Sequence, residues 1–457
     1  MAAVTTTRRH AVVDPLKLSR PLGAALASLG VSGSVPLLHG SQGCSAFAKA
    51  LLTKHFREPI PLQTTAVTEL TAVLGSTHNL VVALDTLRGT LEPEVVAVIT
   101  TGVSEVSGED IEATLCSYRA GLGDGDPLVV FVSAPDFVGG LSDGWSSALV
   151  ALVEAGLGDV AHPVRDLVSD PGTFPVLTGV SLTAADLDEI GLLVSGFGFS
   201  PLLVPDLSGS LDGHLAAAWS PLTTGGTTRK ELARLGLARC AHAVGVTAAA
   251  AAEALTEGSG TEVAVSPHLS GLDAVDAFVE RLWHVSGCPV PGRVRRDRAR
   301  LTDGLLDTHF VLSGARVALA GEPELLAGAI NLVVSTGARV VAAVSPTTDP
   351  VLRDLPCDEV VVGDLTDLRE RAAEAGAEAV IGSSHAVATA AAVGAAHVPL
   401  GIPVDHRYGA ALGGVAGYRG GLRFVTDLAN ALLARHTQPV RKDQPVRKDQ
   451  PVRKDQT

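Results

Sequence analysis

Short apolar runs rich in Val and Leu alternate with longer amphipathic or Ala-rich segments along most of the chain. The runs Val35–Leu38, Leu80–Leu84, Val95–Ile99, Leu128–Val132, Leu202–Val204, Val317–Ala320, Val340–Val344, Glu359–Val362 and Ala379–Ile381 are nearly unbroken by polar residues. Strands of a parallel sheet read this way, because helices cover both faces and neither meets water. Between them, Ser45–Phe56, Glu109–Arg119, Trp145–Glu154, Pro323–Ser335 and Leu365–Ala375 carry helical patterning. The alternation predicts an α/β fold with parallel sheets flanked by helices and excludes all-α and all-β architectures.

Punctuation in the sequence divides this pattern. A chain of 457 residues holds about three domains at roughly 150 residues each. The turn-rich segment Val168-Ser-Asp-Pro-Gly-Thr-Phe-Pro175 marks the end of a first unit. A Pro/Gly loop from Pro289 leads into the basic run Arg293, Arg295, Arg296, Arg298 and Arg300, and a third α/β unit starts near Ser313. The expected divisions are therefore 1–170, 171–300 and 301–438, followed by a tail over 439–457. That tail repeats Pro-Val-Arg-Lys-Asp-Gln three times; with Pro in every copy it cannot build a core and is expected to be a disordered extension. Ala379 to Val404 carries no formal charge but is rich in Ala and Gly and contains His385, His397, Pro399 and Pro403. It reads as a strand, a turn, an Ala-rich helix and a loop, since a membrane span needs steady large apolar residues.

Composition narrows the partners. Hydrophobic residues at 46% exclude wholesale disorder, and 49 acids against 35 bases give a net charge of −14. Setting aside the tail's six basic and three acidic residues, the body carries −17. Such a body is a poor nucleic-acid binder, because phosphate neutralisation needs clustered Lys and Arg. The run Arg293–Arg300 reads either as a solvated helix face or as a contact for an acidic partner. Five scattered cysteines without a C-x-x-C pair fit a reducing cytoplasm rather than a disulfide framework. Arg8 and Arg9 are followed by no apolar stretch, so no signal peptide is expected.

The chain carries no phosphate-binding G-x-x-x-x-G-K-[ST] loop, no dinucleotide fingerprint, no G-x-S-x-G elbow and no H-E-x-x-H helix. An ATP-driven step would need another protein. The most informative local feature is Val35-Pro-Leu-Leu-His-Gly-Ser-Gln-Gly-Cys44 before an amphipathic helix. Gly40 and Gly43 allow a tight turn and close approach of a bulky ligand. A helix start favours anionic sulfur, so Cys44 reads as a metal ligand or, alternatively, as a small buried residue at a strand–helix turn. His39 also has a plain reading, as a hydrogen-bonded histidine at a strand end. An iron–sulfur cluster typically needs four protein ligands. Cys116 is expected to face inward on its helix, and Cys240, Cys288 and Cys357 to be isolated packing residues. If Cys44 binds a cluster, the remaining ligands come from a second chain and the site lies at a subunit interface.

Five segments occur in an informative order: Asp14-Pro-Leu-Lys-Leu-Ser-Arg-Pro-Leu-Gly-Ala24, His39-Gly-Ser-Gln-Gly-Cys44, Thr100-Thr-Gly-Val-Ser-Glu-Val-Ser-Gly-Glu-Asp110, Leu203-Val-Pro-Asp-Leu-Ser-Gly-Ser-Leu-Asp212 and Leu306-Asp-Thr-His-Phe310. Together they resemble the β-type subunits of the nitrogenase superfamily over roughly Asp14 to Arg435. Catalytic β-subunits carry a cysteine in each of the first three segments for their half of the eight-iron P-cluster; here those positions read Ser19, Cys44 and Gly102. Glycine offers no donor and neutral serine is a far poorer iron ligand than thiolate, so a normal P-cluster half-site cannot form. The resemblance implies instead the scaffold branch, in which Cys44 and three partner cysteines hold an electron-relaying [4Fe–4S] cluster. It also implies three Rossmann-like domains and an α2β2 assembly with a NifE-like subunit that carries a transient iron–molybdenum cofactor precursor. The other implied partners are a NifB-type donor, the ATP-hydrolysing nitrogenase Fe protein, which assists molybdenum and homocitrate insertion, and the catalytic nitrogenase protein as acceptor. Competing readings are a catalytic β-subunit, a stand-alone α/β enzyme acting on a nucleotide-sugar, and a structural subunit with no cluster of its own.

Overall fold

The computed structural model describes residues 1–7, 12–123, 125–159, 172–215 and 218–437; the repeat tail, 439–457, lies outside them. Three parallel sheets organise the chain. It opens on β1 (Ala3–Thr6), which pairs not with its neighbours but with Glu359–Val362 in the third sheet. After α1 (Arg20–Ser28), the first sheet collects β2 (Ser34–His39), β3 (Gln63–Thr64), β4 (Val95–Thr100) and β5 (Leu128–Val132) in the order β3-β2-β4-β5. Its helices are α2 (Gln42–Phe56), α3 (Glu69–Leu74), α4 (Thr77–Thr90), α5 (Gly102–Val106), α6 (Ile111–Arg119) and α7 (Leu141–Leu157).

The second sheet takes β6 (Thr173–Thr178), β7 (Ser200–Val204), β8 (Cys240–Val244) and β9 (Glu262–Ser266) in the order β7-β6-β8-β9. Around it lie α8 (Ala184–Gly196), α9 (Arg229–Ala233), α10 (Ala249–Ser259) and α11 (Gly271–Ser286). The long helix α12 (Gly292–Leu312) leads to the third sheet, made of β1 with β10 (Arg316–Ala320), β11 (Arg339–Ser345), β12 (Glu359–Val362), β13 (Ala379–Gly382) and β14 (Ala396–Pro399). Its order is β1-β12-β11-β10-β13-β14, and α13 (Pro323–Ser335), α14 (Leu365–Glu374), α15 (Val387–Val393) and α16 (Gly417–Thr437) flank it. Each sheet reverses direction of growth once: between β2 and β4, between β6 and β8, and between β10 and β13. In open parallel sheets the crevice beyond the strand ends at such a reversal is where ligands bind.

One continuous apolar core joins the first two sheets, while the third has cores of its own. Trp145 on α7 is buried at the join, and its indole Nε1 donates to the Thr178 carbonyl at 2.9 Å. Eight of the nine residues of α1 are buried, so small side chains dominate it. Helix α16 and the residue before it tie the units together: the Asp186 carboxylate accepts from the Ala416 amide at 2.7 Å, and the Tyr418 hydroxyl donates to Asp276 at 2.6 Å. Among the described residues no helix is long and apolar enough to cross a membrane.

Some expectations need correction. Leu80–Leu84 is not a strand but part of α4, because Leu80, Leu84 and Leu87 are buried one above another at helical spacing. The segment over 168–175 is not all turn: Thr173 to Pro175 already belongs to β6, and 168–171 lie outside the described set. Pro175 fits there because the ladder to β8 starts only at Val176. The loop expected after the Ala-rich helix contains edge strand β14, paired with β13.

Candidate metal centre

β2 and β4 run in register to their ends, with His39 opposite Thr100, and the chain leaves both strands into helices at the first reversal point. Gly40 makes this possible: a Cβ there would lie 2.4 Å from Thr101 Oγ1, inside contact distance. Thr101 is locked in turn, its hydroxyl donating to the His39 carbonyl at 3.1 Å and its amide to Ser104 Oγ at 2.9 Å. Cys44 follows as the third residue of α2, half-buried and in no disulfide. Ser41, which caps α2, makes no side-chain contact to the helix amides; its Oγ lies 3.4 Å from Cys44 Sγ. Gly43 has a different role from Gly40. A Cβ on it would meet only Ser41 Oγ, at 3.9 Å, so the space beside the sulfur is open. Neither glycine has positive φ, so turn geometry explains neither; close approach to Thr101 explains Gly40 alone.

Gly102 is the first residue of α5, across the crevice from the α2 turn. A Cβ there would make ordinary contacts, 3.8 Å to Asp136 Cβ and 3.9 Å to Phe137 Cδ1. Its amide donates to the Asp136 carboxylate, whose pKa is raised by burial against the opposing pull of that amide and of Lys17. Ser19 is exposed, precedes α1, and also makes no side-chain cap. Its neighbours meet the same loop, since a Cβ on Gly140 would touch the Leu18 carbonyl at 3.4 Å and Lys17 Cε at 3.6 Å. The 136–140 loop thus links position 102 to the segment before Ser19.

His39 takes the plainer of its two readings. It is fully buried, with Nδ1 2.9 Å from Thr65 Oγ1 and Nε2 3.2 Å from Ser76 Oγ. Burial lowers its pKa, against the attraction of Glu109. The Glu109 carboxylate accepts from the Ser76 amide at 2.6 Å, the Ser76 hydroxyl at 2.5 Å and the Thr77 amide at 3.1 Å. Burial pushes this carboxyl up, but these hydrogen bonds outweigh it and hold the pKa below the usual value. Glu109 thereby anchors the start of α4 behind the crevice, which explains its presence in the third sequence segment.

Cys116 does not face inward: Ile111 and Leu115 form the buried stripe of α6, and Cys116, one position on, is exposed. Cys240 is buried and Cys357 packs beside the third sheet's core, but Cys288 is exposed and packs nothing. Among the described residues no three His, Cys, Asp or Glu side chains converge as a metal site. Cys44 is therefore the one cysteine at this crevice, and no second ligand set competes with it within the described residues. Exposed apolar side chains stand on the elements that frame it. Phe47, one turn beyond Cys44, is 74% exposed, and Val103, Val106, Phe137 and Val138 on the facing elements are exposed as well. Single large apolar residues at a surface are ordinary, but a group rimming one crevice marks an interaction site. Ser41 and Phe47 were open to discovery from sequence, being within one helical turn of Cys44; nothing in the sequence pointed to Asp136. At the third reversal point Glu322 and His397 line a cavity of about 430 Å³. Burial raises the Glu322 carboxyl to about 7 and lowers His397 to about 4.

A family model described as nitrogenase component 1 type oxidoreductase matches residues 19–433. The chain is 40% identical over 447 residues to the nitrogenase iron-molybdenum cofactor biosynthesis protein NifN of Rippkaea orientalis, covering 95% of this chain and 96% of that protein. It is 38% identical over 439 residues to the protein of the same name from Bradyrhizobium diazoefficiens, covering 96% and 93%. The solved structure titled "Nitrogenase Cp1 at pH 6.5" superposes with a TM-score of 0.86 at 25% identity, covering 97% of this chain and 98% of that one.

Proposed function

The chain belongs to the nitrogenase component 1 type oxidoreductase family, among its NifN relatives, and from that premise we propose that it is a scaffold subunit for maturation of the iron–molybdenum cofactor. In this reading it works in the cytoplasm, paired with a NifE-like subunit in an α2β2 assembly. Cys44 gives one thiolate to a [4Fe–4S] cluster whose other three ligands belong to the partner. When bound, the cluster supplies one-electron transfer between the docked nitrogenase Fe protein and a precursor carried mainly by the partner, during molybdenum and homocitrate insertion. The precursor comes from a NifB-type donor, and the finished cofactor leaves for the catalytic nitrogenase protein.

The observation that carries this reading is the donor set at the first reversal point: one thiol, flanked by a glycine and a serine where a catalytic β-subunit would have two more. One thiolate suits a cluster shared across an interface and is too few for a cluster held alone. The chain's own residues have definable tasks there. The start of α2 favours negative charge on Cys44 sulfur. The Ser41 hydroxyl can donate to that sulfur, a contact that tunes cluster potential. Gly43 leaves room for a bulky group, and Phe47, Val106 and Phe137 offer apolar surface for a partner to cover, which would exclude water.

The test is anaerobic co-expression with the neighbouring NifE-like chain, with iron analysis and EPR of the dithionite-reduced pair for wild type and Cys44→Ala. The expected result is a co-purifying pair whose [4Fe–4S] signal is lost or altered in the variant. Unchanged iron and an unchanged signal would remove Cys44 from the ligand set, and an iron-free monomer indifferent to the partner would sink the scaffold reading.

A further inference from the structure

The basic run from Arg293 to Arg300 belongs to α12, a helix of 21 residues, and its placement conflicts with elementary electrostatics. A helix N-terminus carries partial positive charge and normally attracts Asp or Glu. Here the first turn holds no acidic residue, Pro291 at the cap offers no side-chain acceptor, and arginines occupy positions 293, 295 and 296. The run is not simply a solvated face. Gly292, Arg293, Arg296, Asp297, Arg300 and, from α16, Arg419 line a single open cavity of about 450 Å³.

Four guanidinium groups thus meet one carboxylate. Asp297 is nearly buried and partly balances Arg300, at 3.1 Å, and Arg293, at 3.8 Å. Arg419 is also held from behind by Glu189, which does not line the cavity. Arg296 is exposed and has no ion pair among the described residues. By contrast Arg298 points elsewhere, with Nη2 2.7 Å and Nε 2.9 Å from the Asp276 carboxylate. This surplus of positive charge sits on a protein whose net charge is −14, so a generally basic surface does not account for it.

We infer that this cavity binds a small multivalent oxyanion, a compound presenting two or more carboxylate or phosphate groups. Guanidinium forks bind such groups through paired hydrogen bonds, and arginines from two different helices can grip two anionic groups at once. The amides opening α12 add further donors on the same side. The inference stands apart from the cluster reading, since it uses neither Cys44 nor any element of the first sheet.

The test is calorimetric titration of the full chain at low ionic strength with pyrophosphate and with citrate, against acetate at matched ionic strength. We expect saturable one-to-one binding of at least one multivalent probe, weakened about tenfold or more by Arg296→Ala, as for loss of one charge-assisted hydrogen-bonding group. Arg295→Ala removes an exposed charge of the same turn that does not line the cavity, and should change affinity by less than about twofold. Preference for pyrophosphate assigns a phosphate ligand, preference for citrate a polycarboxylate, and equal affinity a site that reads charge density. Absence of saturable binding, equal weakening by both variants, or acetate binding as tightly as the multivalent probes would overturn the inference. Arg296 has no ion pair to lose among the described residues, so its variant should keep the wild-type thermal unfolding temperature, which is measured alongside.

Discussion

The first and second sheets share one topology: in each, the earliest strand of the sheet, β2 or β6, lies between its second and third, and the crevice opens between the ends of the earliest and the third. They differ in what fills it. At the second sheet, β6 and β8 run out into Gly179 and Gly245, and Glu324 from α13 lies between them. Its carboxylate accepts from the Ser181 amide at 3.0 Å, the Thr247 amide at 3.0 Å and the Thr247 hydroxyl at 2.6 Å. A Cβ on either glycine would collide with that carboxylate, at 2.2 Å and 2.5 Å. At the first sheet the crevice offers Cys44, an empty position at Gly102 and an exposed apolar rim. A crevice that the chain seals with its own carboxylate joins units, while one that it leaves open has a thiol to offer to something outside.

The sharpest way to break this comparison is to unseal the second crevice. Glu324→Ala leaves two buried amides and a hydroxyl without their acceptor, and opens a cavity beside two glycines. It should destabilise the protein by about 3–5 kcal/mol, read as a lowered urea midpoint. A loss below about 1 kcal/mol would mean water replaces the carboxylate and the seal is not structural. Next comes Gly40→Ala in the open crevice. Thr101 is β-branched, buried and hydrogen-bonded, so it cannot swing away from a Cβ at 2.4 Å. The expected cost is about 1–3 kcal/mol, whereas Gly43→Ala, with nothing closer than 3.9 Å, should be neutral within about 0.5 kcal/mol.

The sequence made parts of this arrangement legible. Pro323–Ser335 is read as a helix to its observed ends because Pro opens it and its apolar spacing is regular. Cys44 was visible at a strand–turn–helix because Val35–Leu38 is unbroken and glycines follow. What stayed hidden depends on contacts between distant segments. Glu324 looks like any acidic residue in a first helical turn, and only the fold brings it to Gly179 and Gly245. β8 reads Cys-Ala-His-Ala-Val, too poor in large apolar residues to announce a central strand; it is buried because α10 and α11 cover it. Leu80–Leu84 misled because a run of Leu and Val is apolar at both periods, and only Leu87, one turn further, favours the helix.

The two crevices also differ in the sign of their pH dependence. Glu324 has its pKa raised by burial, which outweighs its hydrogen bonds. Between 4.5 and that raised value the folded state binds more protons than the unfolded state, so its contribution to stability falls as pH rises. Glu109, behind the open crevice, is held below 4.5; its contribution is present above 4.5 and is lost as pH falls through the folded value. The stability difference between wild type and Glu324→Gln should therefore shrink with rising pH, by at most about 1.4 kcal/mol per pH unit for one proton. The difference between wild type and Glu109→Gln should grow over the acid range. Chemical denaturation from pH 4 to 7 measures both, and slopes of the same sign would erase the distinction.

The smallest expected effect is the most informative about the open crevice. Gly102 adopts a backbone conformation that any residue can take, and a Cβ there finds only contacts of 3.8 Å and longer. Its backbone amide donates to the Asp136 carboxylate, a hydrogen bond that needs no side chain at position 102. Gly102→Cys should therefore fold as wild type, within about 1 kcal/mol, with the lost freedom of the unfolded glycine offsetting any adjustment by Phe137. Under anaerobic, denaturant-free conditions the variant should show one additional thiol reacting with a disulfide reagent. If it instead unfolds as readily as Gly40→Ala, position 102 is closed, and the glycine there serves packing. If it folds and reacts, nothing steric keeps a thiol out of this position. The single cysteine is then a matter of which ligands the site calls for, as a cluster shared with a partner requires.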